Sequence, residues 1–261
     1  MTSDLLRVTV LGSATPCPDV DNPCSGYLVS GGGTRVWVDA GTGTLARLRR
    51  YVGLDELDAI WISHLHADHT ADLLTAYYGA LYADVRLPAP IPLYGPPGIA
   101  DRLADFLTNT ATRSPVESAF AFHELYDGHR ARVGALTLTS RSVEHGMPAF
   151  AVRIEGGDGG SGDGSLVYSG DTAPCAALTE LARGCDVLLC EADSAEPPAV
   201  GERVHHTPED AGDTARAARA GRLVVTHVGP SLTPERAVSR AAARYRGPVE
   251  YAAPGAEFVV R

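Results

Sequence analysis

The sequence predicts an α/β chain in which two β-sheets stack face to face with helices outside. Short apolar runs of strand length recur in series near the start of each half. Each half then passes into strand-loop-helix units, and the residues able to do chemistry fall at the strand ends of those units. No linker is rich enough in Gly, Pro or Ser to split the chain and no short repeat occurs, so residues 1–261 are expected to form a single domain.

Leu5 to Leu11 alternates apolar and polar residues and reads as the first strand. It ends in Gly12-Ser13-Ala14-Thr15-Pro16, either a loop that lets backbone approach a ligand or a plain turn. Gly26 to Ser30 and Arg35 to Asp39 form a hairpin across Gly31-Gly32-Gly33. Asp39 opens a small-residue loop, and a helix to about Tyr51 follows; Asp39 is expected to hydrogen-bond a residue of the site in preference to capping the loop.

The apolar run Leu57 to Ile62 is a buried strand that runs directly into Ser63-His64-Leu65-His66-Ala67-Asp68-His69. Three imidazoles and a carboxylate at one strand end would repel if protonated and need partners if buried, which argues against a mere polar helix cap. Imidazole nitrogen and carboxylate oxygen suit zinc and similar metals. The spacing suggests two ions, with His64 and His66 turned one way and Asp68 and His69 the other.

Beyond the cluster, Leu73 to Ala83 reads as a helix carrying Tyr77, Tyr78 and Tyr82, and Arg86 to Gly98 as a proline-stiffened loop around a strand at Ile91 to Tyr94. Ile99 to Thr110 is an amphipathic helix, and Asn109 to Ser118 is a polar rim segment or a connection. Phe120 to Leu125, Leu136 to Val143, Ala149 to Ile154, Ser165 to Tyr168 and Asp186 to Cys190 are strands. Gly156 to Gly164, almost all Gly, Asp and Ser, is expected to be a flexible hairpin tip. Thr207 caps a helix to Ala220 with Pro208 at its first position, and Thr233 caps another ending near Tyr245. Strands at Arg222 to Thr226, Val249 to Ala252 and Glu257 to Val260 complete the set.

Strand ends and helix starts then collect His145 after Val143-Glu144, Asp171 in Ser169-Gly170-Asp171-Thr172, Glu191 after Cys190, His205 before the capped helix and His227 after Thr226. With the first cluster they use six of the nine histidines, a concentration that scattered surface residues would not produce. Two ions need about this many ligands, and in such pairs, ~3.5–4 Å apart, a bridging water becomes hydroxide near neutral pH.

These residues resemble the metallo-β-lactamase superfamily: Asp39, His64-Leu-His66-Ala-Asp68-His69, His145, Asp171 and His227 occur in the family's order over nearly the whole chain. The resemblance implies a four-layer αββα sandwich with the site at one edge of the sheets. It implies His64, His66 and His145 on one metal, Asp68, His69 and His227 on the other, and Asp171 bridging. The two divalent ions would be zinc, with manganese or iron as alternatives. Within the superfamily the chain looks most like the ribonuclease Z and phosphodiesterase branch, through the bridging Asp and through Glu191-Ala192 followed by His205-x-Thr207. The resemblance implies that Glu191 and His205 assist proton transfer to the leaving group, His205 being chosen over His206 by its spacing to Thr207; the alternative is a hydrogen-bonded pair that only braces the ligands. Asp68, Glu191 and His205 are thus the candidate catalytic residues.

The tRNA-binding arm of ribonuclease Z has no room in the short interval between His145 and Asp171. The formal charge is −10, all 22 basic side chains are Arg, and no Lys/Arg run offers a basic patch, so nucleic acid is disfavoured. A small phosphodiester such as a cyclic nucleotide fits better. Val10-Leu11-Gly12-Ser13, Ser25-Gly26-Tyr27-Leu28, Tyr168-Ser-Gly-Asp-Thr and Cys190-Glu-Ala also resemble actinobacterial atypical cyclic-nucleotide phosphodiesterases. The alternatives are hydrolysis of an ester, thioester or lactone, which the same hydroxide could attack, and a non-catalytic metal-binding scaffold. A β-lactamase role is disfavoured because the N-terminus lacks a secretory pattern and the bridging Asp is atypical for it. Redox diiron chemistry would want Glu in place of His66. Five cysteines without paired spacing fit a reducing cytoplasm, and no apolar stretch suits a bilayer. The family resemblance also implies a homodimer.

Overall fold

The computed structural model describes residues 5–82, 87–156 and 164–261. In chain order the elements are β1 (Arg7–Gly12), β2 (Gly26–Gly31), β3 (Thr34–Val38), α1 (Thr44–Leu48), β4 (Ala59–Trp61), α2 (Ala67–Thr70), α3 (Asp72–Tyr82), β5 (Ile91–Gly95), α4 (Ile99–Leu107), β6 (Phe120–Glu124) and β7 (Arg130–Val133). They continue with β8 (Leu136–Val143), β9 (Ala149–Gly156), β10 (Ser165–Tyr168), α5 (Ala176–Leu181), β11 (Val187–Ala192), α6 (Pro208–Ala218), β12 (Arg222–Val228), α7 (Pro234–Tyr245), β13 (Val249–Tyr251) and β14 (Glu257–Val259).

The strands form two seven-stranded sheets, ordered β14-β1-β2-β3-β4-β5-β6 and β13-β12-β11-β10-β9-β8-β7. Both are mixed: β3 to β6 run parallel, as do β10 to β13, while the remaining pairs are antiparallel. Strand alternation divides the apolar residues into three cores. Val36, Val38 and Trp61 meet Phe150, Val152, Tyr168 and Leu189 between the sheets. Trp37, Ile60 and Ile62 point the other way, onto Leu48, Leu73 and Leu103 of the helices outside the first sheet. Val167, Leu188 and Val225 do the same for the second sheet, against Leu178, Ala215 and Ala241. The four layers are helices, sheet, sheet, helices, the α/β sandwich that the sequence predicts.

Several boundaries differ from the sequence reading. The helix expected to reach Thr110 stops at Leu107, because Thr108 is extended and its hydroxyl bonds the Ala104 carbonyl while accepting the Ser114 N–H. The helix expected to reach Tyr51 is helical only to Leu48. Strand β7 and helix α5 were not foreseen. Of the three tyrosines on α3, Tyr77 is buried whereas Tyr78 and Tyr82 are exposed and stacked. Segment 109–118 is tied down as a connection, Arg113 pairing with Asp101 and Glu117. The close approach at Gly12 is to the chain itself: a Cβ there would lie 2.3 Å from the Cys24 carbonyl. Residues 157–163 of the expected hairpin tip, and Ala83 and Arg86, lie outside the described residues.

Candidate metal centre

Strands β3, β4, β8, β10, β11 and β12 bring their C-terminal ends to one edge of the sandwich, and candidate residues lie at those ends. Asp39 follows β3, His64 follows β4, His145 follows β8 and Asp171 follows β10, while Glu191 and His227 lie near the ends of β11 and β12. His66 forms the N-cap of α2, which carries Asp68 and His69. The loop from Asp39 presses against this helix: the Ala40 N–H donates to the His69 carbonyl, and a Cβ on Gly41 would lie 2.0 Å from the Asp68 carbonyl oxygen. Only glycine fits there. Asp39 and His227 both have left-handed backbone, with φ of 53° and 47°. Asp and His tolerate that conformation better than most residues, and here it turns each chain sharply at a strand end.

The side chains converge in groups able to hold metal. One is His64, His66 and His145; a second is Asp68, His69, Asp171 and His227; a third is His145, Asp171 and His205. His66 Nδ1 lies 3.0 Å from His64 Nε2 and 3.1 Å from His145 Nε2. Asp171 Oδ2 lies 3.3 Å from both His69 Nε2 and His227 Nε2 and 3.8 Å from His64 Nε2, so it stands between the first two groups.

Hydrogen bonds at the outer ring nitrogens decide what the inner ones present. His145 Nδ1 is 2.9 Å from the Val204 carbonyl, which can only accept, so Nδ1 carries the proton and Nε2 faces inward bare. His69 Nδ1 donates to Asp39 Oδ2 at 2.6 Å. Ser63 Oγ donates to the same carboxylate oxygen and therefore accepts from His64 Nδ1 at 3.0 Å. Ser25 Oγ meets His227 Nδ1 at 3.0 Å. His64 and His145 are thus braced at Nδ1 with the Nε2 lone pair facing inward, His69 and His227 are held at Nδ1 as well, and His66 turns Nδ1 toward its neighbours; bracing from behind is what orients metal-ligating histidines. His69 Nε2 and Asp171 Oδ1 are buried without a hydrogen-bond partner. Buried polar atoms left without a partner are costly, and an ion would take both, so the donor set fits divalent ions.

Burial opposes ionisation of Asp171, yet the imidazoles of His227, His69 and His64 outweigh it and hold the carboxyl well below the usual range. Burial pushes His64 and His145 down, toward the neutral form that binds metal. Burial opposes protonation of His69 too, but the charges of Asp171 and Asp39 prevail and raise it well above the usual imidazole range, so an ion binding there would displace a proton. Burial likewise raises Glu191, whose Oε1 lies 2.9 Å from His205 Nδ1. Burial opposes protonation of His205 too, but the hydrogen bond to Glu191 and the charges of Glu191 and Asp171 prevail and raise it to about 9.

The structure brings every sequence-predicted site residue to this edge. Asp39 contacts the site, as expected, through four bonds: from His69, from the Ser63 hydroxyl and N–H, and from Tyr168 OH at 2.8 Å. His205 faces Glu191 and lies 4.0 Å from Asp171, whereas His206 turns away into the protein. The supporting hydroxyls of Ser25, Ser63 and Tyr168 were missed as partners; their only sequence signal is adjacency to site residues or to a glycine turn. An open cleft of about 760 Å³ lies beside His145, lined among others by Glu144, Met147, Pro174, Glu202 and Arg203. A second, apolar groove of about 300 Å³ between α3 and α4, lined by Leu65, Leu74, Ile99, Leu103 and Phe106, contains no ligand side chain.

Comparison with known proteins accords with this geometry. Residues 34–228 match the family model described as the beta-lactamase superfamily domain. The uncharacterized protein Rv1339 of Mycobacterium tuberculosis is 35% identical over 264 residues, covering 98% of this chain and 93% of that protein. Ribonuclease Z of the same organism is 31% identical over 274 residues, covering 94% and 95%. The metallo-β-lactamase fold protein YhfI of Bacillus subtilis superposes with a TM-score of 0.81 at 24% identity, covering 98% and 99%. No helix among the described residues is long and apolar enough to cross a membrane. With a family match over most of its length and a His/Asp cluster suited to metal, the chain belongs to the β-lactamase superfamily and has the metallo-β-lactamase fold.

Proposed function

We propose that residues 1–261 form one domain that hydrolyses a small phosphodiester with the help of two divalent ions. The observation that carries this reading is the join between two features: a cage of inward-facing imidazole nitrogens around Asp171, and the Glu191–His205 pair, whose His205 Nδ1 lies 4.0 Å from that carboxylate. His64, His66 and His145 would hold one ion, Asp68, His69 and His227 the other, with Asp171 shared. Zinc suits the donors, and manganese or iron are the alternatives. Ions bound there would supply Lewis-acid charge for phosphoryl oxygens and an acidified water as nucleophile.

The chain's own residues supply the rest. Asp68 anchors its side of the cage from α2, its carboxylate 3.4 Å from His69 Nε2. Glu191 takes the Nδ1–H of His205, so the transferable proton sits on His205 Nε2. As water adds to phosphorus and the P–O bond to the alcohol breaks, His205 gives that proton to the departing oxygen. The hydrogen bond from Nδ1 to Glu191 favours the charged ring, the form an acid needs.

The phosphodiester class is supported by the kinship with ribonuclease Z. A small substrate is favoured over RNA by the charge of −10 and by a cleft at which Glu144 and Glu202 outnumber Arg203. The homodimer expected from the resemblance is carried forward for test by sedimentation. Metal-loaded protein should hydrolyse bis-(p-nitrophenyl) phosphate and a cyclic nucleotide, and His66→Ala should abolish both. Turnover of p-nitrophenyl acetate, an acyl thioester or a lactone with no diester cleaved would overturn the reading. Preferential cleavage of a precursor tRNA would overturn its small-substrate half.

A further inference from the structure

We propose that His206 is a positioning residue that ties the Asp171–Thr172 turn to the segment bearing His205, so that the proton donor and the shared carboxylate keep one spacing. The proposal rests on the reading of His205 as donor. His206 is fully buried. Its Nδ1 lies 2.6 Å from the Thr172 carbonyl, which can only accept, so the ring proton sits on Nδ1. Nε2 is then a lone pair, and it accepts the Thr214 hydroxyl at 3.2 Å. Thr214 belongs to α6, whose N-cap Thr207 follows His206 directly. One neutral ring therefore joins the turn after Asp171 to the body of that helix.

The bonds close a circuit. The Thr172 N–H donates to Glu191 Oε1 at 2.9 Å, and the same oxygen takes His205 Nδ1 at 2.9 Å. His205 is covalently joined to His206, and His206 returns to Thr172. Glu191, Thr172, His206 and His205 thus form a ring of contacts with Asp171 on its rim. The Ser194 N–H to His206 carbonyl bond, 3.1 Å, holds the incoming strand of the loop. Without the imidazole, Glu191 would be the one direct tie between His205 and the turn, beside a longer route from Val204 through His145 and Glu144. Buried networks of this kind fix geometry because every member is satisfied.

The test uses zinc-loaded protein and two substitutions. His206→Leu keeps most of the volume and removes both bonds. His206→Asn places an amide N–H near the position of Nδ1 and restores the bond to Thr172. A general acid matters for an alkyl leaving group and little for p-nitrophenolate, and a positioned acid is worth ~10²–10⁴-fold. His206→Leu should therefore lose about tenfold or more in kcat on an alkyl diester while KM and the p-nitrophenyl rate move less than about threefold, and His206→Asn should regain most of the loss. Equal loss on both leaving groups, or no regain in a folded Asn variant, overturns the proposal. Long-range ¹H–¹⁵N spectra of the histidine rings give a readout apart from turnover. They should show His206 as the Nδ1–H tautomer and should show the His205 signals shifting in His206→Leu. An Nε2–H tautomer, or His205 signals unmoved, overturns the tie even if the wild type cleaves no diester, an outcome that would separately sink the hydrolase reading.

Discussion

Asp39→Asn should weaken metal binding while leaving the fold in place. Asp39 is fully buried and accepts from four donors: Oδ1 from the Ser63 N–H at 2.7 Å, and Oδ2 from the Ser63 hydroxyl at 2.7 Å, His69 Nδ1 at 2.6 Å and Tyr168 OH at 2.8 Å. An amide has only one acceptor oxygen. Placed at Oδ2, it aims its NH₂ at the Ser63 N–H; placed at Oδ1, it aims the NH₂ at His69 Nδ1. The hydroxyls can rotate to accept, but the imidazole adjusts only by moving its proton to Nε2, the nitrogen that faces Asp68 and Asp171 and would face an ion. Either way about one buried charge-assisted hydrogen bond is lost, ~1.5–3 kcal/mol. Expressed at the ion, that is about 10–100-fold in affinity, with tenfold per ~1.4 kcal/mol. Asn tolerates the left-handed backbone that Asp39 adopts, so the turn itself should survive. Zinc affinity measured against a chromophoric chelator, with circular dichroism to verify folding, reads the effect. A folded Asn variant that binds both equivalents as tightly as the wild type would refute the reasoning.

Three further outcomes follow from the same geometry. Chelation should lower the melting temperature, because the ions bind only the folded cage; free zinc at about one hundred times Kd adds ~2.7 kcal/mol per site, or about 5–10 °C per ion for a chain of this size, read by calorimetry with and without chelator. His205→Ala should depress hydrolysis of an alkyl diester by ~10²-fold or more and spare the p-nitrophenyl diester, a contrast visible in parallel kinetics. His206 should make the metal-free protein acid-sensitive. Burial holds it at about 4 against ~6.5 in the unfolded chain, so its contribution is present above pH 6.5 and lost as pH falls toward 4. Between pH 7 and pH 5 that loss is about 2 kcal/mol, and urea titrations should find it in the wild type but absent from His206→Asn.

The layered plan and the clustering of the candidate site residues were legible because they rest on local pattern. Ile60 and Trp61 alternate between the outer and inner cores as neighbours on a strand must, and His64 to His69 concentrates chemistry that no surface loop needs. Strand β7 was not legible: Arg130, Ala131, Arg132 and Val133 form a charged edge, where protection from stray pairing matters more than apolar alternation. Helix α5 is six residues long and has no side-chain cap, so it leaves no sequence signal. The braces of the site, Ser25, Ser63, Tyr168 and the Val204 carbonyl, act across the tertiary fold, and small hydroxyls carry no pattern of their own. For the adjacent His205 and His206, spacing to Thr207 indicated the ring that faces Asp171, but nothing in the sequence indicated the partners of the other.

The cage draws on both sheets. His64, His66, Asp68 and His69 come from the first, and His145, Asp171 and His227 from the second. Ions held between them would act as removable cross-links between chain positions far apart in sequence. Like a disulfide, such a link would cut the conformational freedom of the opened chain, with the difference that a chelator could withdraw it without reducing any bond. Folding of the two halves would then couple to metal supply: with ions present the sandwich should open as one unit, and without them the metal edge should be the first place where the sheets part.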